Sequence, residues 1–415
     1  MKTILLLTLT IFTLSGYAQQ GHTVRQGGSG DFTSIQAAID GASAGDTIRV
    51  YTGEYLEPLT IDKKLFIIGM SGRDMTRITG NITYSGSSTQ GGIFTGFTVF
   101  GYLNNYNSVD IGNISIISNC EIHGVVKIRR TYIYDSHISV EDGNALIAYN
   151  NSIIKGNVII NGYSTASGDS ILYIGNKISG SSYGITINGS YQDINIFANS
   201  ISDVYNGIRF YGSGNTSHTL VSNNVFESVN RVFYFDNNSN TIVIASINNN
   251  VINNTSDKLF YLSQSVGSAS VITIRNNIFS NYESTGAISG LYEKYFNNLY
   301  SGAGHTTQYG NLFNTDPLFT DPENGDYTLQ SGSPAIDAGD PAFFYQDLDL
   351  TRNDMGIYGG PYSFDQYQNA DMQTIQMILS SVSVQAGEDI TIKATGLIWG
   401  NKAVRLALTA LRFFT

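Results

Sequence analysis

The feature of this chain that most constrains its fold is a short recurring box, ending in an apolar residue with asparagine two places before it. It stands as Asn150-Asn151-Ser152-Ile153, Gly175-Asn176-Lys177-Ile178, Ala198-Asn199-Ser200-Ile201 and Asn223-Asn224-Val225-Phe226. It continues as Asn249-Asn250-Val251-Ile252, Asn276-Asn277-Ile278-Phe279, Asn297-Asn298-Leu299-Tyr300 and Gly310-Asn311-Leu312-Phe313. Two degenerate copies precede these: Asn119-Cys120-Glu121-Ile122 and Asp135-Ser136-His137-Ile138. The box ends are 16, 15, 25, 23, 25, 26, 27, 21 and 13 residues apart. A period of this kind marks the coils of a solenoid, because a single repeat cannot bury its own apolar face.

The residues before each box alternate with period 2, as strand residues do. Five places before the box end stands an apolar residue in nearly every copy: Ile117, Ile133, Ala148, Tyr173, Ile196, Val221, Ile247, Ile274 and Tyr295. Coils stacked about 4.8 Å apart turn that column into a ladder within one continuous core. The second box position becomes an asparagine ladder of Asn151, Asn176, Asn199, Asn224, Asn250, Asn277, Asn298 and Asn311. Asparagine tolerates left-handed backbone at a turn, and its amide can both donate and accept toward the coils on either side. Cys120 falls in the same column and is expected to be a buried structural thiol. A leucine-rich horseshoe is set aside, because its Leu spacing and helical segments are missing.

Composition narrows the partners. Hydrophobic residues make up 41% and aromatics 12% of the chain, ample for a large core, while charged residues are 13%, about half the usual share. Net charge is −11 with no basic block, which argues against nucleic acid as a partner. The single Cys excludes an intramolecular disulfide framework and a Cys-rich zinc site. At the N-terminus, Lys2, the apolar run Ile4 to Leu14 and Gly16-Tyr17-Ala18 read as a signal peptide over 1–18, cut before Gln19. No later stretch approaches the roughly 20 apolar residues of a membrane helix. The expectation is a secreted or cell-surface monomer without membrane insertion.

Two further segments carry a resemblance. The opening runs Gly30-Asp31-Phe32-Thr33-Ser34-Ile35-Gln36-Ala37-Ala38-Ile39-Asp40, then Gly45-Asp46-Thr47-Ile48-Arg49-Val50 and Gly53-Glu54-Tyr55. Its stretch Phe32 to Ala42 reads as a short amphipathic helix able to plug the end of a coil stack. Near the other end stand Gly332-Ser333-Pro334-Ala335-Ile336-Asp337-Ala338-Gly339-Asp340-Pro341, Thr351-Arg352-Asn353-Asp354-Met355-Gly356 and Tyr358-Gly359-Gly360-Pro361. Both segments resemble pectin-lyase-like right-handed parallel β-helix proteins of the exported bacterial type, over roughly residues 20 to 362. The resemblance implies an all-β chain: a single-stranded right-handed parallel β-helix solenoid over 19–362 with an N-terminal helical cap. Residues 363–415 read as an incomplete β-rich module that resembles the opening of an immunoglobulin-like sandwich. With about half the ~100 residues such a domain needs, it is expected to be truncated, a helical tail being the alternative.

Fold does not carry activity, and the catalytic signatures sought are missing. There is no Gln-Asp-Thr-Leu or Asp-Phe-Ile-Phe-Gly segment as in pectin methylesterases, no Gly-His-Gly or Arg-Ile-Lys as in polygalacturonases, and no Arg-x-Pro-x-x-Arg as in pectate lyases. Gly180-Ser181-Ser182-Tyr183-Gly184 matches the hydrolase nucleophile elbow, but a strand-like Ile185-Thr186-Ile187 follows where that motif needs a helix, so a plain turn is expected. Asp347, Asp349, Asn353 and Asp354 could supply oxygens to Ca²⁺; the alternative is a polar end-cap with Arg352 among the carboxylates, and no cofactor. The alternation gives an outward aromatic column of Tyr134, Tyr149, Ile174 and Phe197, with Tyr132 and Ile147 beside it. Past the turn, the outward column reads Glu121, His137, Ser152 and Lys177, with His123, Arg129 and Arg130 near in sequence. Aromatic faces stack on sugar rings, and a carboxylate, an imidazole and guanidinium groups suit acid–base work or uronate binding. The expected substrate-binding residues are Tyr132, Tyr134, Tyr149 and Phe197, and the catalytic candidates are Glu121, His137 and Arg130. The first functional expectation is binding of a polysaccharide or cell-surface glycan without catalysis. A lyase or hydrolase acting on uronate-containing polymers is the second, and a structural stalk or adhesin the third.

Overall fold

The computed structural model describes residues 20–85, 91–105, 115–189, 192–212, 216–237, 243–263, 270–286, 292–303, 309–368, 375–379, 391–396 and 404–409. The signal-peptide reading over 1–18 lies outside them. The chain winds as an all-β parallel β-solenoid. Each full coil gives one strand to each of three parallel sheets: Val126–Ile128, Thr131–Tyr134 and His137–Ser139, for instance, serve sheets 3, 1 and 2 in turn. Among the described residues sheet 1 has thirteen strands, sheet 2 twelve and sheet 3 ten.

The inward column of sheet 1 runs in unbroken register through Ile48, Ile67, Phe94, Ile117, Ile133, Ile154, Tyr173, Ile196, Val221, Ile247, Ile274 and Tyr295. All are buried. Ile154 stands where alternation pointed to Ala148, and this corrects the register of one coil. The ladder residue of that coil is Asn157, not Asn151. Asn157 Oδ1 accepts from Ser136 N at 3.0 Å, and its Nδ2 donates to Asn176 Oδ1 and Ile133 O, both at 3.0 Å. Asn151 is exposed, with left-handed backbone one corner earlier. From Asn157 the amide chain passes through Asn176, Asn199, Asn224, Asn250, Asn277 and Asn298 to Asn311. At its other end Cys120 N donates to Ser136 Oγ. Cys120 is fully buried, and burial pushes its thiol up to about 12.

Helix α1 (Ile35–Gly41) buries Ile35, Ala38 and Ile39 against the first coils. Its N-terminus is held by Glu57, whose carboxylate accepts from Ile35 N at 2.8 Å and Gln36 N at 3.0 Å; an anion there also opposes the helix dipole. At the far end, residues 316–364 fold back along the solenoid. Phe319, Tyr327, Ala335, Met355 and Ile357 pack on Val225, Val251, Ile278 and Leu299, the outward column of sheet 2. The first asparagine of each pair grips this segment: Asn223 Nδ2 donates to Ile357 O (2.8 Å) and Gly359 O (2.7 Å), and Asn249 Nδ2 to Asp354 O (2.9 Å). Gly356 has φ +93° and lies so close to Ile278 that a Cβ would meet its Cδ1 at 2.8 Å. Strands Ile375–Leu379, Thr391–Gly396 and Val404–Thr409 form a separate antiparallel sheet.

Candidate functional site

Glu121 and His137 are register partners on adjacent coils of sheet 2, as expected. Their column continues through Val158 to Lys177, not through Ser152. Beside it runs a second outward column, Phe100, His123 and Ser139. His123 Nε2 lies 3.2 Å from Glu121 Oε1, and its Nδ1 lies 3.0 Å from Ser139 Oγ. The imidazole stacks on Phe100 at 4.7 Å and 8°. Arg130 is not part of this group. It occupies the left-handed corner between Val126–Ile128 and Thr131–Tyr134, a whole strand away from His137.

The expected outward column stands in register as Tyr134, Lys155, Ile174 and Phe197, with Lys155 interrupting its aromatic run where Tyr149 was expected. Tyr132 and Tyr134 share a face of sheet 1, with rings 4.8 Å apart and 39° tilted. In the next coil Tyr134 is followed by Lys155, not Tyr149. Tyr149 follows Asn144–Ala148, a strand of sheet 3, and its ring lies 6.0 Å from the Arg129 guanidinium. Phe197 does lie in register with Ile174, but Tyr362 stacks on it at 4.7 Å and 8°. Ile174 is buried too. The returning segment thus occupies the ring face a sugar would need. Burial also pushes Tyr132 up to about 12 and Lys155 below its ordinary value.

The acidic series is not built as a cation site. Asp347 Oδ2 accepts from Asp354 N at 3.0 Å while Oδ1 accepts from Gly360 N. Asp354 Oδ1 accepts from Asp337 N at 2.7 Å, and Asp349 Oδ1 from Thr351 N and Oγ1. Arg352 donates to the carbonyls of Gly339 and Ala338 rather than to a carboxylate. Carboxylates spent on separate backbone amides do not converge, and no group of three His, Cys, Asp or Glu among the described residues could hold a metal. Gly180–Gly184 leads into strand Tyr183–Asn188, so it is a turn with no helix behind it.

Among the described residues a further polar–aromatic surface lies on sheet 3, which the sequence reading did not single out. Arg209 and Tyr234 are register partners, as are Tyr234 and Tyr261. The Arg209 guanidinium lies 3.9 Å from the Tyr211 ring centre and 4.7 Å from that of Tyr183, and its Nε donates to Asp236 Oδ2 at 3.0 Å. One coil on, the Arg231 guanidinium lies 3.9 Å from Tyr261 and 5.1 Å from Tyr205, with Nε donating to Asp257 Oδ2 at 2.6 Å. Tyr163 meets Tyr183 edge-on at 5.3 Å. Each guanidinium is thus gripped by a carboxylate and wedged among rings, which fixes the rings in turn. Burial alone would raise the Asp236 carboxyl, but the bonds and charge of Arg209 outweigh it and hold it below its ordinary value. Tyr205 and Tyr211 remain 47% and 42% exposed. The signal was present as doubled aromatics, inward Phe210, Phe233, Phe235 and Phe260 alternating with outward Tyr211, Tyr234 and Tyr261.

No protein-family model and no curated protein matches this chain. Among solved structures, a complex of XylC with xylose is 11% identical over 72% of this chain and 87% of that one, with a TM-score of 0.48. The pectate lyase Pel9A is 13% identical over 82% and 96%, with a TM-score of 0.43. The catalytic unit of a thermostable GH87 α-1,3-glucanase from Streptomyces thermodiastaticus strain HF3-3 is 13% identical over 66% and 65%, with a TM-score of 0.44.

Proposed function

We propose that this is an exported β-helix protein that binds a polysaccharide or cell-surface glycan through the tyrosine–arginine face of sheet 3, without catalysis at that face. In this reading residues 1–18 are a cleaved signal peptide, helix α1 is the N-terminal cap, and the sheet spanning 375–409 belongs to an immunoglobulin-like module. The carrying observation is the row of tyrosines on successive coils around two clamped arginines. Rings held in place offer flat apolar faces at little entropic cost, and the arginine edges and tyrosine hydroxyls offer donors to sugar oxygens. The coil-to-coil spacing of about 4.8 Å presents these groups in a line, which suits an extended chain better than a small molecule.

Affinity electrophoresis of the full chain through gels loaded with neutral or uronate-containing polysaccharides tests this. One polymer class should retard the protein, and Tyr211→Ala and Tyr261→Ala should each weaken the retardation several-fold, about 1 kcal/mol per ring. Tyr149→Ala should leave it unchanged. If no polymer retards the wild-type protein, the binding reading fails and the stalk reading takes its place.

A further inference from the structure

His123 is held from three sides at an exposed position. Glu121, His123 and Ser139 are brought together by the fold itself: the first two are two residues apart on one strand face, and Ser139 is the register partner of His123 in the next coil. A carboxylate can only accept, so the ring nitrogen facing Glu121, Nε2, carries the proton. In the neutral ring Nδ1 then keeps its lone pair, pointed at the Ser139 hydroxyl 3.0 Å away. Stacking on Phe100 holds the ring plane. A hydroxyl, a base within hydrogen-bond reach and a third group orienting that base are the parts of an activated nucleophile, recognised by geometry whichever fold carries them.

We propose that Ser139, His123 and Glu121 form a nucleophile–base–carboxylate relay that hydrolyses carboxylic esters borne on an extended polymer, such as O-acyl groups of a glycan. The relay lies on sheet 2 and is independent of glycan binding at sheet 3. In the first step Ser139 Oγ bonds to the acyl carbon while its proton moves to His123 Nδ1, and Glu121 stabilises the imidazolium. The tetrahedral adduct then expels the alcohol, which takes the proton from Nδ1 and leaves the acyl group on Oγ. Water attacks that ester by the same route, releasing a carboxylic acid and restoring Ser139. The balance is ester plus water to acid plus alcohol, with no other reactant. His137 stands two residues before Ser139 on the same strand face, and in this proposal its ring is the donor to the oxygen that gains charge. The side chains of His123 and Glu121 are 38% and 34% exposed. Water therefore reaches the acyl-enzyme, and a polymer lying across the coils has access to these side chains.

The test uses the full chain treated with a fluorophosphonate probe, with the label located by peptide mass mapping, and in parallel acetate release from an acetylated polysaccharide. The proposal expects Ser139 to carry the label. It also expects Ser139→Ala and His123→Gln to lower acetate release about 100-fold or more, and Glu121→Gln to lower kcat with little change in KM. Labelling the wild-type protein keeps the test decisive even if a variant misfolds. Absence of label at Ser139 together with no acetate release overturns the proposal, as does release that survives Ser139→Ala in a folded variant.

Discussion

Replacing Asn157 by Ala puts the corrected coil register to a direct test. Asn157 is fully buried, and its Oδ1 is the acceptor for the backbone N–H of Ser136 at 3.0 Å. Alanine leaves that donor unpaired in the core, at a cost of about 1–3 kcal/mol. Asn176 Oδ1 keeps the Asn157 backbone N–H, also at 3.0 Å, so the ladder is cut on one side only. Adding about 1 kcal/mol for the void and for the donor lost by Ile133 O gives a total loss of about 2–4 kcal/mol. Solenoids open locally rather than in one step, so the sharper readout is amide hydrogen exchange of Ser136. It should speed up about 5- to 150-fold, while the Asn199 amide, bonded to Asn224 Oδ1 at 2.9 Å, should not change. Asn151→Gly is the control. At an exposed site with φ 58°, glycine removes no core contact and adopts the left-handed backbone freely, so the change should stay within about 0.5 kcal/mol. A Ser136 amide that exchanges at the wild-type rate in Asn157→Ala, or an Asn151→Gly that costs as much, would refute the register.

Two further outcomes follow from one half-buried and one fully buried ionisable group. Burial holds the Asp347 carboxyl up at about 6, against an ordinary value of 3.8; because the folded state binds the proton more tightly, its stabilisation is complete below about 4 and is lost as pH rises through about 6. The returning segment should therefore be held better at pH 5 than at pH 7.5, read as protection of the Gly356 amide corrected for intrinsic exchange, and Asp347→Asn should flatten that dependence; equal pH dependence in both proteins would remove Asp347 as the cause. The Cys120 thiol, raised to about 12 by burial, should resist iodoacetamide at pH 8 in the folded protein and react promptly in denaturant, so rapid labelling of the native chain would contradict its place in the ladder.

The parts of this fold legible in the sequence are those written as columns. Inward Ile117, Ile133, Ile196 and Ile247 and the ladder from Asn176 to Asn311 each repeat at an unambiguous place. The reading slipped where two boxes compete six residues apart, Asn150-Asn151-Ser152-Ile153 and Gly156-Asn157-Val158-Ile159. Local pattern accepts either. The choice is made at long range, by Ser136 N–H needing an acceptor and by Ile154 filling the core better than Ala148. That slip carried Tyr149 onto the wrong sheet. The covering of Phe197 by Tyr362 was illegible for a different reason, since alternation tells which side of a strand a residue faces and not whether another segment lies on it.

The outward column of sheet 2 nevertheless records that second fact. It reads Glu121, His137, Val158, Lys177 and Ser200, and then Val225, Val251, Ile278 and Leu299. The change to unbroken apolar residues begins where Met355 and Ile357 lie on the sheet, because an apolar column is favoured only where something removes it from water. Polar outward residues on the earlier coils accordingly mark surface that the returning segment leaves open. The Glu121–His123–Ser139 group lies on such surface, and on sheet 3 the half-exposed Tyr205 and Tyr211 mark another. Along a solenoid whose core is uniform from coil to coil, function has to be sought in the outward columns, and there in the stretches that no other part of the chain occupies.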